Sequence, residues 1–184
     1  APDGRFYADT WSDARTPPKV WLSSQDGTKR HVLEENASPP ILGFERGTLE
    51  SVDVKAKDGT TLYGSLLKPA DFDPSKRYPV ILSIYGGPHA QTVTNAWEHT
   101  SPFEHLLASR GFLVWSLDNR GMAARGTAFE SAIHRDLGRV ELEDQLAGVE
   151  HLKSRPCVDP ARIGITGWSY GGYLSLVAVT NAPD

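Results

Sequence analysis

The hydrophobic pattern of this chain changes period along its length. In "SVDVKAKDGTTLYGSLL", Val52, Val54 and Ala56 alternate with polar residues, Asp58-Gly59 supplies a turn, and Leu62, Gly64 and Leu66 alternate again. A period of two puts these residues on one buried face of an antiparallel hairpin. "VILSIY" (80–85), "FLVWSL" (112–117) and "RIGITGW" (162–168) are almost continuously apolar, which predicts strands covered on both faces of a sheet. Between and after them the period lengthens. Ser101 and Glu104 form a capping-box pair around Pro102, and Gly111 follows "HLLASR", so a helix is expected between them. Leu142, Leu146, Val149 and Leu152 recur at spacings of four, three and three, which predicts an amphipathic helix ended by Pro156. "YGGYLSLVAVT" begins at two glycines and stops before Pro183, as a third helix would. Three strand–helix pairs in series argue an α/β domain: a mostly parallel sheet with flanking helices and right-handed crossovers.

The first forty or so residues follow a different pattern. "RFYADTW", "KVWLSS" and "KRHVLEE" read as short strands, the last two joined through Asp26-Gly27, where glycine tolerates the positive φ of a tight hairpin. So few strands bury no core of their own. The turn-rich "ENASPPILGF" marks the expected boundary, giving units 1–43 and 44–184. A hydrophobic content of 39% over 184 residues is that of a folded chain. A net charge of −4 without a run of Lys or Arg gives no footprint for nucleic acid or an anionic membrane. The one cysteine, Cys157, excludes an internal disulfide framework and reads as a packing residue. The longest apolar stretches fall far short of the roughly 20 residues a spanning helix needs. No metal-ligand spacing is present, and no cofactor is expected.

Gly167-Trp168-Ser169-Tyr170-Gly171 fits G-x-S-x-G between a strand and a helix, the context of a nucleophile elbow. The turn is sharp, and glycine at both flanks lets neighbouring backbone approach while the serine hydroxyl stands clear of the sheet. The helix after it aims amides and the positive end of its dipole at the same spot. The competing reading is that Ser169 merely caps that helix.

"GWSYGGY", "IYGGPHAQ", "SLDNRG", "HRDLGRVELEDQ" and "VDPARIGITG", in that order, resemble the prolyl oligopeptidase superfamily of serine peptidases. Trp168 and Tyr170 around the serine are similar to its dipeptidyl peptidase IV branch, and the likeness runs from about residue 5 to the end. The resemblance implies an incomplete α/β-hydrolase over 44–184, preceded over 1–43 by the terminal strands of a β-propeller and a linker. It implies that Ser169 is the nucleophile, with the Tyr170 backbone N–H and the Tyr85 hydroxyl forming the oxyanion hole. A phenol at the end of a buried strand beside "GGP" suits that task; without the resemblance it would read as a strand-end aromatic. The resemblance further implies a peptide substrate, release of X-Pro or X-Ala dipeptides, a homodimer when full length, and a periplasmic or extracellular site.

A hydrolase of this kind takes its acid and then its histidine from after the serine. Only fifteen residues follow Ser169 here, none of them histidine. The expectation is therefore a fragment of a longer peptidase, inactive alone, whose partners include its own C-terminal part and its propeller. His89 is the nearest substitute base and reads first as a loop residue, while His99, His105, His134 and His151 read as helix or loop surface. Arg125 is expected in a structural salt bridge, and Glu141, Glu143 and Asp144 on the solvated or capping face of their helix. The rival activities are oligopeptidase, acylaminoacyl peptidase or carboxylesterase. The rival of another class is a non-catalytic interaction protein without the triad.

Overall fold

A computed structural model describes residues 4–36 and 45–183. The expected boundary connection falls largely at 37–44, outside the described residues. The chain divides into two compact units: one holds the residues up to 36 with Thr94–Ser101, the other Glu45–Val93 and the residues from Pro102 onward.

The smaller unit is an antiparallel sheet of β1 (Phe6–Trp11), β2 (Lys19–Ser24) and β3 (Arg30–Glu34), in that order. Its β2–β3 turn is tied by Asp26, whose carboxylate accepts from Ser24 Oγ at 2.6 Å and from Thr28 N–H at 3.1 Å. Arg30 lies over the Trp21 ring and pairs with Asp9 at 3.1 Å. Every residue of β3 is exposed, so the sheet has almost no core. The segment 94–101 joins this unit through Trp97 N–H to Ser12 Oγ and Ala14 N–H to Asn95 Oδ1.

The larger unit contains β4 (Thr48–Lys55), β5 (Thr61–Lys68), β6 (Tyr78–Ile84), β7 (Leu113–Asp118) and β8 (Val158–Gly167), with helices α1 (Pro102–Ser109), α2 (Thr127–Glu130), α3 (Arg139–Lys153) and α4 (Tyr170–Asn181). Its sheet order is β4-β5-β7-β6-β8. The β4–β5 hairpin adds antiparallel to β7, while β6 pairs in parallel with β7 and β8. The sheet is thus evenly mixed rather than mostly parallel, because the hairpin supplies two of its five strands. Alternation along β7 separates two layers. Leu113, Trp115 and Leu117 join Leu62, Leu66, Val80, Leu152 and Leu174 in the main core beneath α3 and α4, and Val114 packs with Leu67 and Ala108 beneath α1. Among the described residues, no helix is long and apolar enough to cross a membrane, and there is no cluster of three potential metal ligands.

The structure also corrects readings on α3 and α1. On α3 the buried positions are Val140, Glu141, Asp144, Gln145, Gly148 and Leu152, whereas Leu146 is 37% exposed. Glu141 and Asp144 are therefore not on a solvated face; Glu141 takes the capping alternative, accepting from the Gly138 N–H, and also accepts from Tyr170, while Asp144 holds Arg120. His105 is also no surface residue. It is 4% exposed, and burial, aided by the nearby Arg46 charge, pushes its pKa down to about 4. His151 is half-buried and stacks on Trp115.

Candidate active site

The described part of the site lies where β6 and β8 end side by side. Ile84 pairs with Gly167 at the last register position, so Tyr85 and Trp168 leave the sheet together. Ser169 follows with φ 56° and ψ −118°, a backbone that L-residues rarely adopt, and α4 begins at the next residue. Its side chain makes no capping hydrogen bond, and among the described residues its Oγ has no partner. This speaks against a mere N-cap, since a capping serine accepts from the helix amides. The hydroxyl is held up by strained backbone and left free.

Glycine makes this junction possible at two points. A Cβ on Gly171 would run into the Ile84 carbonyl oxygen and lie 3.0 Å from its carbon and 3.1 Å from Tyr85 Cα. One on Gly167 would meet the same oxygen at 2.7 Å. Helix α4 therefore sits on the end of β6 backbone against backbone.

Tyr85 and Tyr170 come together across this seam, their ring centroids 6.3 Å apart. The Tyr85 hydroxyl has no hydrogen-bond partner among the described residues. The Tyr170 ring packs edge-on against Tyr173 at 5.2 Å, and its hydroxyl donates to Glu141 Oε1 at 2.6 Å. Burial, reinforced by that carboxylate, raises the Tyr170 pKa beyond the ordinary tyrosine value, so it remains a donor. Trp168 points outward, 88% exposed.

The loops around Tyr85 are braced from beneath. Asn119 donates to the Gly86 carbonyl at 3.0 Å and accepts from Gln145 at 2.9 Å. Asp118, fully buried, accepts from Thr92 N–H and Oγ1, Val93 N–H and Arg125 at 2.8 to 3.1 Å. Arg125 is thus the structural ion pair expected, with its guanidinium also over the Tyr63 ring. Arg120 is held by Asp144 at 2.7 Å and Asp58 at 2.5 Å. Asn119, Gln145, Asp118 and the inward role of Glu141 were not legible as site residues in the sequence. One signal was present: 141, 144, 145 and 148 fall at the i, i+3, i+4, i+7 spacing of a buried stripe, written partly in polar letters. His89 stands exposed at φ 60°, and no hydrogen bond joins it to Ser169.

Residues 99–184, which include both the elbow and the α3 braces, match the prolyl oligopeptidase family. This chain belongs to that family. Prolyl oligopeptidase relatives extend the likeness beyond the matched segment: human dipeptidyl peptidase 8 is 44% identical over 154 residues, 83% of this chain and 16% of that protein. The structure superposes on a Bacteroides ovatus protein described as a dipeptidyl aminopeptidase IV with a TM-score of 0.91 and 40% identity, over 98% of this chain and 26% of that one. Porphyromonas gingivalis dipeptidyl peptidase 4 gives 0.86 and 36%, over 95% and 25%. The chain thus spans about a quarter or less of these members of the prolyl oligopeptidase family.

Proposed function

We propose that this chain carries the nucleophile and oxyanion hole of a serine peptidase of dipeptidyl peptidase type. The observation that carries the reading is Ser169: a free hydroxyl on a positive-φ turn between β8 and α4. Ser169 Oγ attacks the peptide carbonyl, and the Tyr170 N–H and the Tyr85 hydroxyl stabilise the tetrahedral oxyanion. Collapse of that intermediate expels the amine and leaves an acyl-enzyme, which water hydrolyses. The base that takes the serine proton and later protonates the leaving amine is a histidine oriented by an acid, both among residues this sequence does not contain. The small spans of its relatives that the chain covers support this. Their printed names support dipeptide release from peptide N-termini, and the sequence resemblance supports Pro or Ala in second place. The smaller sheet is then the end of a β-propeller, 44–184 is the first part of an α/β-hydrolase domain, and the full-length enzyme is a dimer.

The test is a fluorophosphonate probe on the full-length protein. Labelling at Ser169 that disappears in Ser169→Ala supports the reading, and a folded sample that does not label favours a non-catalytic interaction protein. Faster turnover of Pro- and Ala-containing dipeptide nitroanilides than of acyl esters or blocked peptides distinguishes a dipeptidyl peptidase from an esterase or oligopeptidase.

A further inference from the structure

We propose that Glu141 is a positioning residue for the oxyanion site, acting through the hydroxyl of Tyr170. The inference rests on the reading of Ser169 as the nucleophile. Glu141 is fully buried, and its two oxygens do separate things. Oε2 accepts from the Gly138 N–H at 2.9 Å, closing the start of α3, where Gly138 has φ 93°. Oε1 accepts from Tyr170 at 2.6 Å. A carboxylate is costly to take out of water, and a helix start can be capped by a small polar side chain at the surface. Capping alone therefore does not account for a buried glutamate whose second oxygen reaches another helix.

What it reaches is the residue next to the nucleophile. The Tyr170 ring is fixed at two points. Its hydroxyl is on Glu141, and its base lies so close to Gly87 that a Cβ there would stand 2.7 Å from Tyr170 Cγ and 2.9 Å from Tyr85 Cε1. The ring is a spacer between the amide that begins α4 and the loop that carries the Tyr85 phenol. Releasing its hydroxyl lets the ring tilt and both oxyanion donors drift together. Donor placement acts on the transition state, so the loss falls on kcat, with KM little changed.

The experiment uses the full-length protein and compares wild type, Tyr170→Phe, Glu141→Leu, the double variant and Glu141→Gln. The readouts are the labelling rate at Ser169, and kcat and KM on a dipeptide nitroanilide. Tyr170→Phe and Glu141→Leu are each expected to lower kcat and labelling roughly ten- to hundredfold. The double variant should fall no further than the worse single, because both changes cut one connection. Glu141→Gln, whose amide can accept from Gly138 and donate to the phenol, should recover most of the rate. Should Glu141→Leu not fold, Tyr170→Phe and Glu141→Gln decide the matter. An unchanged kcat in Tyr170→Phe, or losses that multiply in the double variant, overturns the inference and leaves the peptidase reading intact. A wild-type protein that neither labels nor turns over overturns that reading, and this inference with it.

Discussion

Replacing Gly171 by alanine probes the seam between α4 and β6 directly. The new methyl group would meet the Ile84 carbonyl oxygen and lie 3.0 Å and 3.1 Å from two further backbone carbons, where relaxed carbon contacts sit near 3.5–4.0 Å. No flexible side chain can yield, so α4 must lift by about half an ångström or more, dragging Leu174, which is fully buried, out of its packing. Overpacking costs about 1–3 kcal/mol, and a backbone clash belongs at the upper end. Helix propensity returns up to about 1 kcal/mol, leaving a net loss of about 2 kcal/mol. Gly172 is the internal control: its added Cβ would find only the Gly167 carbonyl at 3.5 Å, an ordinary contact. Urea denaturation should show Gly171→Ala destabilised and Gly172→Ala unchanged or stabilised. The labelling rate at Ser169 should fall about a hundredfold in the first variant only, since the Tyr170 amide, proposed above as an oxyanion donor, is displaced. Equal midpoints and equal labelling rates for the two variants would refute the backbone-contact reasoning.

Three further outcomes follow from the geometry. Ser169→Gly should abolish labelling while raising stability by about 1–3 kcal/mol, the strain that positive φ imposes on a residue with a Cβ; Ser169→Ala keeps that strain and should gain nothing. Folded His105 takes its proton only near pH 4, against an ordinary 6.5, so between those values the unfolded chain binds more protons. Stability should hold above pH 6.5, fall by roughly 3 kcal/mol as pH drops to 4, and level off below; urea midpoints across that range check it, and His105→Phe should flatten this step. Asp118→Ala leaves Arg125 and three further donors without their carboxylate and should cost about 3 kcal/mol, measured by thermal or urea unfolding.

Much of the larger unit was legible because apolar periodicity and terminators agreed. Leu62 and Leu66 alternate inward as written, α1 starts at Pro102, and α4 opens with Tyr170 and two glycines in its first turn. The elbow was legible because its glycines have a backbone function that any neighbouring fold would require. Less legible was whatever depends on polar groups finding one another across the chain. Glu141 and Asp144 read as a solvated or capping face, and Gln145 drew no reading, because buried polarity is uncommon unless partnered, and their partners, Tyr170, Arg120 and Asn119, lie 24 to 29 residues away. His105 was misread for a related reason: its helix stripe gave no warning that it would be buried with the Arg46 charge nearby. The even mixture of strand directions was hidden because a hairpin's own pattern does not say which strand it joins.

The bare backbone contact at Gly167, Gly171 and Ile84 also bears on how such a molecule can change. With no side chains between them to repack, the strand end carrying the phenol and the helix start behind the serine must move as one body. Under the proposed peptidase reading, variation in what is accepted is therefore channelled into segments that overhang this joint, such as the outward Trp168 or the loop beyond Gly87. The joint itself admits almost no drift, and a redesign for new substrates should leave those three positions alone.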